Sequence, residues 1–169
     1  MVERTGPEAG RSPCALGFTG DPLVLQALEI IAVLTGTLFA GAALYINAVE
    51  HPARMLLDTK SAVLQWAPSY KRATFVQAPL ALISFGCGSL AWLSGASIWW
   101  LVAALLIGAV VPFTFIVVMP TNHRLLAPDR DLSSIETRQL LQKWAMLHAV
   151  RTFLGLAASI IYVWLLREA

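Results

Sequence analysis

Apolar residues in this chain come in long unbroken runs, and the polar residues are pushed to their ends. Four runs reach the roughly 20 residues a helix needs to cross the hydrocarbon of a bilayer: about Leu23 to Asn47, Ala73 to Leu93, Ile98 to Met119 and Met146 to Leu166. Helix is the only sensible secondary structure for them, because an isolated strand would leave its peptide groups unpaired in lipid. Only Ser94-Gly95-Ala96-Ser97 separates the second run from the third, which predicts a tight antiparallel hairpin flanked by Trp92, Trp99 and Trp100. The fold class expected is therefore all-α: a four-helix transmembrane bundle formed by residues 23–169, with residues 1–22 a disordered, Gly- and Pro-rich N-terminal tail. The first apolar run is too long for a cleaved leader and is expected to stay in the membrane.

Local signals refine the ends of the helices. Asp58 is placed to cap a short interfacial helix in the first long loop, running to about Trp66 before Pro68 ends it. Ser133 with Glu136 makes a capping box for a helix that meets no breaker before the C-terminus. At about 1.5 Å per residue that helix would be roughly 50 Å long and must extend beyond a core of about 30 Å. Pro52 is expected to interrupt the first helix, and Pro79 and Pro112 to bend theirs, most simply as packing kinks. Small residues at packing spacing (Ala32, Gly36 and Ala40; Ala104 and Gly108; Gly155 and Ser159) mark faces where backbones can approach closely.

Composition agrees with the pattern. Charged residues make up 13% of the 169 and hydrophobic ones 57%, with a mean hydropathy of +0.68; soluble domains carry about 25% charged residues. A net charge of +2 gives no case for nucleic acid. The distribution of basic residues says more. Arg54, Lys60, Lys71, Arg72, Arg124, Arg130, Arg138 and Lys143 all fall between the first and second or the third and fourth runs, against Arg4, Arg11 and Arg167 elsewhere outside the spans. Eight against three predicts cytoplasmic long loops and termini on the opposite side. The bilayer is the one partner the chain requires; a homo-oligomer is compatible with it.

The alternation of spans brings the polar residues to that same end. On the fourth helix Trp144, His148 and Arg151 stand at i, i+4 and i+7; on the first Asn47, Glu50 and His51 at i, i+3 and i+4; on the second Tyr70, Thr74 and Gln77 form a stripe; the third ends in Met119-Pro120-Thr121-Asn122. Ionisable groups at membrane depth are costly and usually face the bundle interior in pairs. Glu50 is the nearest partner the sequence offers Arg151, the alternatives being a simple helix staple or an arginine that snorkels to phosphates. Two histidines and Glu50 nominally suit iron, yet no Glu-x-x-His, His-x-His or acidic cluster supports a metal, and none is expected. Cys14 and Cys87 form no metal or disulfide pattern, and there is no phosphate loop or nucleophile elbow.

Four ordered blocks resemble a known family. The stretch from Ala40 to Arg54 containing Asn47-Ala48-Val49-Glu50-His51-Pro52, then Gln65-Trp66-Ala67-Pro68-Ser69-Tyr70-Lys71-Arg72, Met119-Pro120-Thr121-Asn122, and Trp144 with Leu147-His148-Ala149-Val150-Arg151-Thr152 are similar to the anthrone-oxygenase-like membrane family. The resemblance covers about residues 25 to 166 and leaves the first 22 outside. It implies a membrane-embedded monooxygenase of lipophilic phenolic or polycyclic substrates, in the manner of fungal members that convert anthrones to anthraquinones with O₂ and no evident organic cofactor. Such chemistry asks for a base near neutral pH, a hydrogen-bonding or positive partner for an enolate oxygen, and an apolar slot. His148 or His51 fits the first role and Arg151 the second, while Trp66, Tyr70 and Trp144 fit the third. Asn47, Gln77 and Asn122 are placed to orient a carbonyl, and Glu50 completes the candidate substrate-binding set. The competing reading is a non-catalytic membrane protein that binds a lipid or small lipophile, or whose polar cluster only locks the bundle.

Overall fold

In a computed structural model, which describes residues 21–168, the chain forms four long helices. We label them α1 (Pro22–Arg54), α2 (Thr59–Leu93), α3 (Ile98–Leu125) and α4 (Ile135–Glu168). Each is long and apolar enough to cross a bilayer, so this is a multi-pass membrane protein. The helices alternate in direction around a ring: α1 packs on α2 and α4, and α3 closes the ring between α2 and α4. The N-terminal tail reading lies outside the described residues.

Three buried clusters stack along the bundle axis. At the end carrying the basic residues, Ile46, Trp66, Val118, Leu141 and Trp144 pack together. Phe39, Ala43, Ala81, Ile107 and Ala158 fill the middle, and Ala32, Ala91, Trp100, Ala103 and Tyr162 the far end. The small residues do what their spacing implies. A Cβ on Gly155 would fall 2.8 Å from the Phe39 ring, and one on Gly88 only 2.2 Å from the Tyr162 hydroxyl. At the hairpin Gly95 takes φ +104°, a left-handed conformation open to glycine, and Ser97 caps α3.

The proline expectations need correction. Pro52 does not interrupt α1, nor does Pro120 end α3. Each follows a π-helical turn, Ile46–Glu50 in α1 and Thr114–Val118 in α3. The N–H of the residue just before each proline, His51 or Met119, reaches back five residues to Ile46 or Thr114. The extra residue opens the turn where the proline ring would otherwise strike a carbonyl, so the helix continues.

Asp58 caps a helix as expected, accepting from the Ser61 N–H at 3.0 Å, but no short interfacial helix ends at Pro68. Instead α2 runs 35 residues through both Pro68 and Pro79, whose rings are exposed on its outer face. A membrane helix survives the loss of single backbone bonds when the rest of its ladder is intact. The hydrogen bonds from Ser61 hold the Asp58 carboxyl below its ordinary range, so its stabilising contribution is present above that range and is lost on acidification.

α4 extends as predicted, but its cap is one residue late. Ser134 Oγ accepts from the Thr137 N–H at 3.2 Å, while Glu136 pairs with Arg124 at 2.7 Å. Arg138 fastens the α1–α2 connection to α4 by donating to the Leu57 carbonyl at 2.7 Å and to that of Met55.

The Gly88–Tyr162 contact yields a test. Gly88→Ala is expected to cost about 1–3 kcal/mol through overpacking. Much of that loss should return in Gly88→Ala with Tyr162→Phe, which removes the clashing hydroxyl; unfolding in detergent measures both.

Candidate polar site at the basic end of the bundle

A small, largely enclosed cavity lies between α1, α2 and α4, at the depth of the α1 π turn. It has a free volume of about 10 Å³, room for about one water, and Trp66, Tyr70, Gln77, Trp144, His148 and Arg151 all line it. His148 and Arg151 therefore share one enclosed space, as their spacing on one helix face implies. Both indoles are buried. Trp66 stacks on Tyr70 with centroids 5.1 Å apart and meets Trp144 edge-on at 5.8 Å; Trp144 in turn stacks on His148 at 4.9 Å.

The protonation pattern of His148 follows from its neighbours. Asn47 Nδ2 donates to the Ala145 carbonyl at 3.1 Å, and a carbonyl only accepts, so the orientation of this amide is fixed. Its Oδ1 then accepts from the Thr152 hydroxyl at 2.7 Å and faces His148 Nδ1 at 2.5 Å. Nδ1 must carry the proton, which leaves the Nε2 lone pair without a partner among the described residues. Asn47 itself sits behind the histidine rather than on the cavity wall.

Four residues on the same wall carry buried N–H groups that no described residue accepts: Trp66 Nε1, Trp144 Nε1, Gln77 Nε2 and Arg151 Nε. Each unmet donor costs about 1–3 kcal/mol. Arg151 is held by donating to Gln77 Oε1 at 3.0 Å, and its guanidinium lies 5.8 Å from the Phe39 ring centroid. The cavity thus offers one bare nitrogen base amid several donors, a set that suits an electron-rich oxygen.

The expected pairing of Arg151 with Glu50 does not form. Glu50 pairs with Arg54, four residues on, and accepts from the Ser69 hydroxyl at 2.5 Å. The π turn explains the error: it shifts the helical register, so Asn47 turns to α4 and Glu50 to α2 instead of sharing a face. Arg54 is 3% exposed and also lines the cavity. It donates to Gln65 Oε1 and, at 3.4 Å, faces His51 Nδ1. A guanidinium only donates, so that nitrogen accepts, and His51 is left with a buried, unpartnered Nε2. His51 packs on Trp144 at 5.4 Å but does not line the cavity.

Asn122 is also apart. It is fully buried on α3 with both amide atoms unpartnered, yet it does not line the cavity. Among the described residues no three of His, Cys, Asp and Glu gather as a metal-ligand group; the Glu50 carboxylate is engaged by Arg54 and Ser69. Arg54, Gln65, Ser69 and Thr152 fall within the motif blocks, but the sequence gives none of them a role at the site. For Arg54 the available signal was its i, i+4 spacing from Glu50, hidden by the assumption that Pro52 ends the helix.

Fold and site together define a multi-pass helical membrane protein with a donor-rich cavity sunk near one end of the bundle. Comparison with known proteins gives this class a family. The sequence pattern of the family described as anthrone oxygenase matches residues 66–161. The chain is 32% identical over 149 residues to the anthrone oxygenase nsrD of Aspergillus novofumigatus, covering 76% of this chain and 91% of that one. It is 28% identical over 145 residues to the anthrone oxygenase tpcL of Aspergillus fumigatus, covering 79% and 89%. It is also 28% identical over 146 residues to the noranthrone monooxygenase of Aspergillus flavus, covering 78% and 70%. The chain belongs to the anthrone oxygenase family. No solved structure matches it.

Removing the Glu50 carboxylate should leave the Arg54 guanidinium buried and unpaired. Glu50→Ala is expected to cost about 3–5 kcal/mol, and Glu50→Ala with Arg54→Leu distinctly less; detergent unfolding of the two variants checks this.

Proposed function

We propose that this protein is a membrane-embedded oxygenase that converts a lipophilic phenolic or polycyclic substrate of the anthrone type with O₂, using no resident metal or organic cofactor. One observation carries the reading: His148, whose proton is held on Nδ1 by Asn47 and whose Nε2 has no partner among the described residues, lines the same small cavity as Arg151. Names borne by the relatives point the same way.

The chemistry follows from the donor set. A methylene flanked by two aryl rings and activated by the ketone across the central ring loses one proton to His148 Nε2. The negative charge moves to the ketone oxygen, where Arg151 Nε, Gln77 Nε2 and the Trp66 and Trp144 indole N–H groups can donate to it. The electron-rich enolate then reacts with O₂. One oxygen atom ends as the new quinone carbonyl and the other leaves as water, so anthrone plus O₂ gives anthraquinone plus H₂O, and O₂ is the sole oxidant. Trp66, Tyr70 and Trp144 supply flat walls. His148 is assigned the base role in preference to His51, whose Nδ1 faces Arg54. His51, Glu50 and Asn47 act as positioning residues, and Asn122 has no assigned contact. We place the basic end in the cytoplasm on the charge bias of the loops.

Purified protein in detergent, given an anthrone under O₂, should form quinone faster than autoxidation. His148→Ala should lower that rate by about 10²–10⁴-fold in protein that keeps its helical fold. Equal rates with and without protein would reject the oxygenase reading and favour a binding or structural role.

A further inference from the structure

The inner cavity is far too small for its proposed substrate. It holds about one water, whereas pockets for ring-bearing ligands measure about 300–1,000 Å³. Nor is there an open approach from the basic end, since Arg54, Trp66 and Trp144, which line the cavity there, are 3%, 0% and 4% exposed.

A larger hollow lies alongside. Between α1 and α2 an open groove of about 620 Å³ faces outward, its walls formed in part by Ala42, Tyr45 and Val76. Tyr45 and Val76 are 56% and 58% exposed on the apolar flank of the bundle, where lipid would lie. Ile46, Ser69, Ala73 and Gln77 line both the groove and the inner cavity, so the partition is one layer of side chains thick. Two of these residues have properties suited to a gate. Gln77 is 2% exposed, lines a third hollow with Arg151 as well, and keeps its Nε2 unpartnered. Ile46 opens the π turn of α1, where the backbone already departs from regular α-helix.

We propose that this groove is a lateral entrance through which a lipophilic, flat-ringed carbonyl compound passes from the bilayer to His148. The ring body lies along Ala42, Tyr45 and Val76, and its oxygen accepts from Gln77 Nε2. Displacement of Ile46 at the π turn then joins groove to cavity. The identity of the compound as a substrate rests on the oxygenase reading; occupation of the groove does not.

The test uses the full chain in nanodiscs and a dihydroxyanthraquinone probe, followed through the probe's own visible fluorescence, with anthrone turnover measured in parallel. Val76→Trp and Ala42→Trp fill the groove without touching the inner cavity. Ile160→Trp, at a site 69% exposed on α4, controls for an added indole. Both groove variants should weaken probe binding by about tenfold or more, a difference of about 1.4 kcal/mol, with the control within about twofold of the unaltered protein. Groove-sensitive binding without turnover in the unaltered protein would uphold the entrance and reject the oxygenase. Turnover with binding and KM unchanged in both groove variants would overturn the entrance and leave the oxygenase standing. Absence of probe binding to the unaltered protein would also overturn the entrance.

Discussion

The side-chain amide of Asn47 joins the two halves of the polar site. It leaves α1 within a π turn and spends every polar atom on α4: the amine on the Ala145 carbonyl, the oxygen on Thr152 and His148. A neutral amide can do this in only one orientation, and that orientation dictates where the imidazole holds its proton. A carboxylate would bring a charge to membrane depth, and an apolar residue would leave the buried His148 Nδ1 without a partner. The proton-free Nε2 of His148 is thus a consequence of helix packing.

Two features that resemble defects support this arrangement. The π turns let α1 and α3 pass prolines that would otherwise stop them, and the turn in α1 sends Asn47 and Glu50 to different neighbours. The Arg54 cluster is the second. A buried guanidinium is tolerable because Glu50, Gln65 and Ser69 surround it, and it in turn faces His51 Nδ1. One histidine is consequently committed to structure and the other left open. The unmet N–H groups around the cavity are a further imbalance, and all of them ask for an acceptor.

Much of this was legible in the residues. Apolar run length reported four spans, the turn at Ser94 to Ser97 reported the hairpin, and helical spacing put Trp144, His148 and Arg151 on one face, where they all line the cavity. Ordered motif blocks reported the family. Several of the failures share one physical reason. Proline as a terminator is a sound rule in water, but here a π turn or an intact membrane ladder carries the helix past Pro52 and Pro68. Each error hid a neighbour: the register after Pro52 concealed the Glu50–Arg54 pair, and the supposed stop at Pro68 concealed that Gln65 and Ser69 ride on the same helix as Gln77. No periodicity announces a π turn, so the split between Asn47 and Glu50 needed coordinates.

The most direct measurement is of the His148 proton itself. Nitrogen-15 NMR of histidine-labelled protein in bilayers, with the His148 signals assigned by substitution, distinguishes a protonated Nδ1 from a protonated Nε2. A neutral imidazole bearing its proton on Nδ1, with that preference lost in Asn47→Leu, is the expected result. A proton on Nε2 in the unaltered protein would mean that the nitrogen facing the cavity is no base, and the proposed chemistry would fall with it.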